Sequence, residues 1–180
     1  DGTLSPGNMQ EFGFIQAIGK KPQEFWQESD DLASGQDASN ILSYMKLMFD
    51  EAKKAGIKLR REDFKSFGAS VELFPGVRKW FRLVNAYGKE RGVKVEHYIN
   101  SSGLAEMIEG TPIAKEFKRI FACSFIYNED GEAVWPGVAV DYTAKTQFLF
   151  KINKGILSVR DNKKVNESQA EDNGRIPFPH

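Results

Sequence analysis

Three short stretches carry the residue types that phosphate chemistry needs. Asp1-Gly2-Thr3 opens the sequence, Ser101-Ser102-Gly103 follows the run that begins at Val93, and Ala144-Lys145-Thr146 starts a helical pattern. A carboxyl group can carry protons, and a lysine, hydroxyls and main-chain N–H groups can hold an oxyanion. The central stretch, Val93 to Gly110, reads as a strand, a sharp Ser-Ser-Gly turn and a short helix. A helix start presents unpaired N–H groups and the positive end of the macrodipole, which suits a phosphate. Ser101 or Ser102 is also the kind of residue that does no more than cap a helix. Both readings stand on this stretch taken alone.

Lys145 is placed oddly for a structural lysine. A cation in the first turn of a helix opposes the dipole by about 0.3–1 kcal/mol. Either it is a solvated side chain, or a phosphate beside the helix start turns the misfit into a contact. Asp1, Gly2 and Thr3 fit a turn whose side chains point at a ligand, although Asp-Gly is also a common turn pair.

The elements that must position these residues follow from pattern and punctuation. Residues 22–92 read as helical. Pro22 suits a first helical position. Asp37 is expected to cap a longer helix from Ala38 to Ala55, whose stripe is Ile41, Tyr44, Met45, Met48, Phe49, Ala52 and Ala55, with Gly56 ending it. Arg61 to Phe67 reads as a short helix. Pro75-Gly76 opens another, with Val77, Trp80, Phe81, Val84 and Tyr87 on one face. These stripes are core rather than a cofactor box.

After the Ser-Ser-Gly stretch, Arg119 to Tyr127 and Ala133 to Tyr142 read as a hairpin around Asn128-Glu129-Asp130-Gly131. Pro136 marks an edge or a bulge. Glu129 and Asp130 belong to an exposed turn rather than a metal site. A helix from Ala144 to Lys154 turns Phe148, Leu149 and Ile152 inward. From Ser158 the chain is polar loop, and Arg175-Ile176-Pro177-Phe178 reads as the approach to a further strand.

Composition narrows the class. Lys plus Arg and Asp plus Glu are both 25 in 180 residues, so the balanced charge gives no general attraction to nucleic acid or anionic membrane. The single cysteine, Cys123, excludes an internal disulfide framework and a CxxC metal motif, and it falls in a strand where a small core residue is expected. No apolar run reaches about 18 residues. The expectation is a soluble, cytoplasmic protein.

Asp1-Gly2-Thr3-Leu4, a strand ending in Ser-Ser-Gly and the segment AKTQFLFKINKG, in that order around a helical block, resemble the haloacid dehalogenase (HAD-like) superfamily of phosphohydrolases. The likeness runs over nearly the whole chain and is strongest for the phosphoserine-phosphatase-like branch. It implies an α/β fold: a Rossmann-like parallel sheet core, residues 1–14 and 91–180, with an inserted, mostly helical cap at residues 15–90. It also implies a Mg2+-dependent phosphatase that acts on a small phosphorylated metabolite through an aspartyl-phosphate intermediate. A phosphomutase and a non-catalytic scaffold that keeps the fold are the alternatives.

Carried onto this sequence, the resemblance gives Asp1 the role of general acid/base and a main-chain metal ligand. Thr3 orients the loop. Ser102, with Ser101 as the neighbouring candidate, hydrogen-bonds the phosphoryl group beside Gly103, and Lys145 pairs with nucleophile and phosphate. The pattern departs from the family at both ends. The nucleophilic aspartate belongs two residues before Asp1, together with the first sheet strand, and the acidic fourth motif belongs beyond His180. The expectation is a fragment of a longer protein, which alone binds Mg2+ weakly or not at all.

Overall fold

The computed structural model describes residues 2–167 and Gly174. Asp1 and the segment at 175–178 lie outside the described residues.

Among the described residues five α-helices precede the sheet: α1 (Phe14–Ala17), α2 (Pro22–Gln36), α3 (Asn40–Lys54), α4 (Arg61–Ala69) and α5 (Val77–Glu90). Pro22 takes the first position of α2, where its missing N–H costs nothing. The cap of α3 differs from expectation. Ser39, not Asp37, is the N-cap, and its side chain accepts from Leu42 N. Asp37 instead closes α2 in the left-handed conformation at φ 48°, a geometry that Asp tolerates better than most side chains. Tyr44, Met45, Met48 and Ala52 of the α3 stripe are buried, as the helical spacing requires. Along α5 the expected stripe splits. Val77 and Phe81 are buried, whereas Trp80 and Tyr87 are more than half exposed.

The sheet follows: β1 (Tyr98–Leu104), α6 (Ala105–Gly110), β2 (Arg119–Tyr127), β3 (Ala133–Val138), then α7 (Tyr142–Asn153) and α8 (Lys164–Glu167). Among the described residues it is a mixed sheet of three strands in the order β1-β2-β3. β1 and β2 are parallel, and β2 and β3 form the antiparallel hairpin. The hairpin register shifts near Pro136, which sits on the outer strand where no ladder N–H is needed. The fold is therefore α/β, with one parallel pair.

The strand at the Ser-Ser-Gly stretch departs from expectation at both ends. Residues 94–97 are not strand, and β1 continues through Ser101-Ser102-Gly103 to Leu104. Asn100 pairs with Phe121 and Leu104 with Cys123, so residues 101–103 bulge out opposite Ala122 alone. The N-cap of α6 is Leu104, with no side-chain cap bond. Neither serine caps that helix.

Helices and sheet share one apolar cluster. Phe14, Phe25, Met45, Met48 and Phe64 from the helical half meet Leu104, Met107, Phe121 and Phe125. Phe64 stacks on Phe125 at 5.5 Å between ring centroids, and Phe121 on Phe148 at 4.6 Å. Helices α4 and α6 cross at backbone distance. A Cβ on Gly68 would lie 1.9 Å from the Met107 carbonyl oxygen, and one on Gly110 would lie 2.0 Å from that of Lys65. Both positions need the bare glycine backbone.

Helix α7 starts two residues earlier than expected, behind Asp141, whose side chain accepts from Ala144 N at 2.8 Å. Its inward face is Phe148 and Lys151, and Leu149 is exposed. Buried Lys151 donates to the carbonyl oxygens of Ser158 and Val159, which the loop supplies as it folds back. Burial pushes its pKa down. Cys123 is buried, as its place in an apolar strand suggests. No helix among the described residues is long and apolar enough to cross a membrane.

Candidate functional site

A cavity of about 690 Å³ lies beside β1, and Thr3, Ser101, Ser102 and Lys145 all line it. Residues 96–102 line it without a break. Successive side chains of a strand point to opposite faces. An unbroken run therefore means that the cavity runs along the strand's edge, on the side away from β2. Among the described residues that edge of β1 has no partner strand.

Three features bring the four residues together. The loop before α1 is tied down by Gly2 N donating to Ser5 O at 2.8 Å and Phe74 N donating to Leu4 O at 2.9 Å. This places exposed Thr3 at the cavity. The β1 bulge supplies the serines. The first turn of α7 supplies Lys145, fixed by Asn100, whose side-chain Nδ2 donates to Lys145 O at 2.8 Å. The oxygen of that amide, Asn100 Oδ1, is buried at the cavity and has no partner among the described residues.

The two serines are not equivalent. Ser102 Oγ donates to Val140 O at 2.7 Å, so its single proton is committed. Ser101 Oγ accepts from Gly103 N at 3.0 Å, which leaves its own proton to donate. Lys145 is partly buried, and its ammonium lies 5.8 Å from the centre of the exposed Tyr142 ring. That is a weak cation–π contact, and the amine has capacity for an anion.

Carboxylates are scarce around the cavity. Glu96 lines it, but its side chain is engaged by Lys118 and by Tyr98 Oη. Among the described residues no three His, Cys, Asp or Glu side chains converge on one point. The described donor set does not fit a magnesium site, and Asp1 lies outside it. Glu129 and Asp130 are exposed in the hairpin turn.

Behind the bulge lies a second polar group. Glu106 is fully buried. Its Oε1 accepts from Tyr127 Oη at 2.9 Å and Phe125 N at 3.2 Å, with Arg61 of α4 at 3.8 Å. Arg61 also lies over the Tyr127 ring at 4.3 Å. Burial and the Glu106 carboxylate together push the Tyr127 phenol well above its ordinary pKa. This group ties α4 to α6 and β2.

Sequence reasoning missed Asn100, and it missed Tyr44, whose Oη donates to the Ser102 carbonyl oxygen at 2.7 Å. Asn100 carried a signal: an amide that follows Tyr98-Ile99, directly before Ser101. Tyr44 carried none, because its place in a helical stripe fully explains it.

No family model matches the chain. An uncharacterized protein of Borreliella burgdorferi (strain B31) is 27% identical over 202 aligned residues, covering 99% of this chain and 69% of the relative. Its name assigns no activity. The functional reading therefore rests on the residues and the geometry above.

Proposed function

We propose that this chain supplies the phosphoryl-binding part of a phosphomonoester hydrolase of the haloacid dehalogenase type, acting on a small phosphorylated metabolite. The observation that carries the reading is convergence. Thr3, Ser101, Ser102 and Lys145 come from three separate elements and line one cavity beside the parallel strand pair. Ligands of open α/β sheets bind outside the carboxyl ends of their strands, where the bulge of β1 lies.

In this reading the Lys145 ammonium takes up phosphoryl charge and the free proton of Ser101 donates to a phosphoryl oxygen. Preorganised donors of this kind stabilise the charge that spreads over those oxygens in the transition state. Ser102 holds the bulge in shape through Val140. Thr3 orients its loop, and Asp1 beside it keeps the acid–base role that the resemblance gives it. The finer Rossmann-like architecture belongs to the same proposal, supported by the parallel pairing of β1 and β2. Magnesium enters this reading only through carboxylates outside the described residues.

The test is phosphate release from 4-nitrophenyl phosphate by the whole protein, with Lys145→Ala, Ser101→Ala and Lys154→Ala. Lys154 closes the other end of α7 and donates to Val165 O. The expected result is a fall in kcat of about a hundredfold or more for Lys145→Ala, roughly 3 kcal/mol of transition-state stabilisation, with Lys154→Ala near wild type. An active wild type with equal rates for all variants would sink the assignment. Phosphate binding with no turnover would favour the scaffold alternative.

A further inference from the structure

Val71, Trp80 and Phe81 bring the helical half to the cavity wall, and Tyr44 ties the same half to the β1 bulge at the carbonyl oxygen of Ser102. The β1 bulge sets Ser101, Ser102 and Gly103 against the single residue Ala122, so the regular β1–β2 pairing lapses there. Two side chains hold the Ser102 carbonyl. Tyr44 Oη donates to it at 2.7 Å from α3, and Cys123 Sγ approaches it at 3.3 Å from β2. Val140 N donates to the same sulfur at 3.2 Å, and Ser102 Oγ donates to Val140 O. The result is a closed ring through Ser102, Cys123 and Val140, with Tyr44 as its one strong outside donor.

Tyr44 is built for fixed geometry. It is 5% exposed, flanked on α3 by buried Met45, and its ring meets Trp26 edge-on at 6.0 Å. A thiol is a weak donor. Without the phenol, the carbonyl keeps only that weak partner. The bulge would then relax, and Ser101 sits directly on it.

We propose that Tyr44 is a positioning residue for the phosphoryl site: through the Ser102 carbonyl it fixes the bulge that aims the Ser101 hydroxyl into the cavity. The proposal rests on the phosphoryl reading above. In it Tyr44 acts on the site without touching the ligand.

The test is an NMR titration of this chain with inorganic phosphate, for wild type, Tyr44→Phe, Ser101→Ala and the double variant, each with its melting temperature. Tyr44→Phe keeps the ring and removes one hydroxyl. Its phosphate Kd should rise about tenfold, the equivalent of one buried hydrogen bond to a preorganised group. Added to Ser101→Ala, it should change the Kd no further, because both act through one hydroxyl. A lower melting temperature with an unchanged Kd would make Tyr44 merely structural and overturn the proposal. So would full additivity in the double variant. If Ser101→Ala and Lys145→Ala both bind phosphate as wild type does, the phosphoryl reading itself fails, and the proposal falls with it. Should Tyr44→Phe not fold, Cys123→Ala removes the other donor and carries the same test, with a smaller rise in Kd expected and an unchanged Kd overturning the proposal.

Discussion

Asn100 Nδ2 donates to the main-chain carbonyl of Lys145 at 2.8 Å, so a side chain of β1 fixes the first turn of α7. The lysine and the serine bulge are thereby held in one frame. Asn100→Ala should weaken phosphate binding about fivefold, less than Lys145→Ala, because it shifts the ammonium without removing it. Titration of both variants with inorganic phosphate checks the order. Equal losses would mean that Asn100 does more than position.

The serines should separate by what each change damages. Ser101→Ala should leave the melting temperature within a degree or two and weaken phosphate binding. Ser102→Ala breaks the bond to Val140 O and should cost about 1–2 kcal/mol of stability. Urea unfolding beside the phosphate titration reads both effects. The opposite pattern would return the phosphoryl contact to Ser102.

The crossing of α4 and α6 should tolerate no side chain. Gly68→Ala would drive a methyl group to 1.9 Å from the Met107 carbonyl oxygen, and both backbones are held by their own helices. The expected loss is about 3 kcal/mol or more, with Gly35→Ala in α2, where nothing lies within 4 Å, neutral or slightly stabilising. Denaturant midpoints for the two variants measure the contrast. A Gly68→Ala protein as stable as wild type would mean that α4 can slide.

Glu51 should shape the acid limb of stability. Its carboxylate is buried against Lys54 at 2.6 Å and Lys20 at 2.9 Å. The hydrogen bond from Lys54, and then that from Lys20, hold its pKa below the ordinary 4.5 despite burial. The unfolded chain thus binds the proton more readily than the folded one. The contribution is fully present above pH 4.5 and is lost as pH falls through the folded value. Glu51→Gln should flatten that limb in unfolding curves taken between pH 6 and pH 3. An unchanged slope would assign the acid sensitivity to other groups.

The sequence by itself determined the elements whose signals are local. Pro22, Gly56 and Pro75-Gly76 bound helices because φ restriction, positive φ and a missing N–H act within a few residues. The Asp-Gly turn and its two apolar runs made the hairpin for the same reason. Thr3, the serine pair and Lys145 were legible as a set by residue type and order. Only the tertiary structure decided how the serines work. A bulge exists relative to a partner strand, so the difference between Ser101 and Ser102 depends on Ala122, Val140 and Tyr44. Lys151 is buried although lysine is a surface residue by type, because the chain returns two carbonyl oxygens to its ammonium. Trp80 and Tyr87 share an apolar stripe with Phe81, yet stay exposed because periodicity fixes which residues share a face and not how much of that face a neighbour covers.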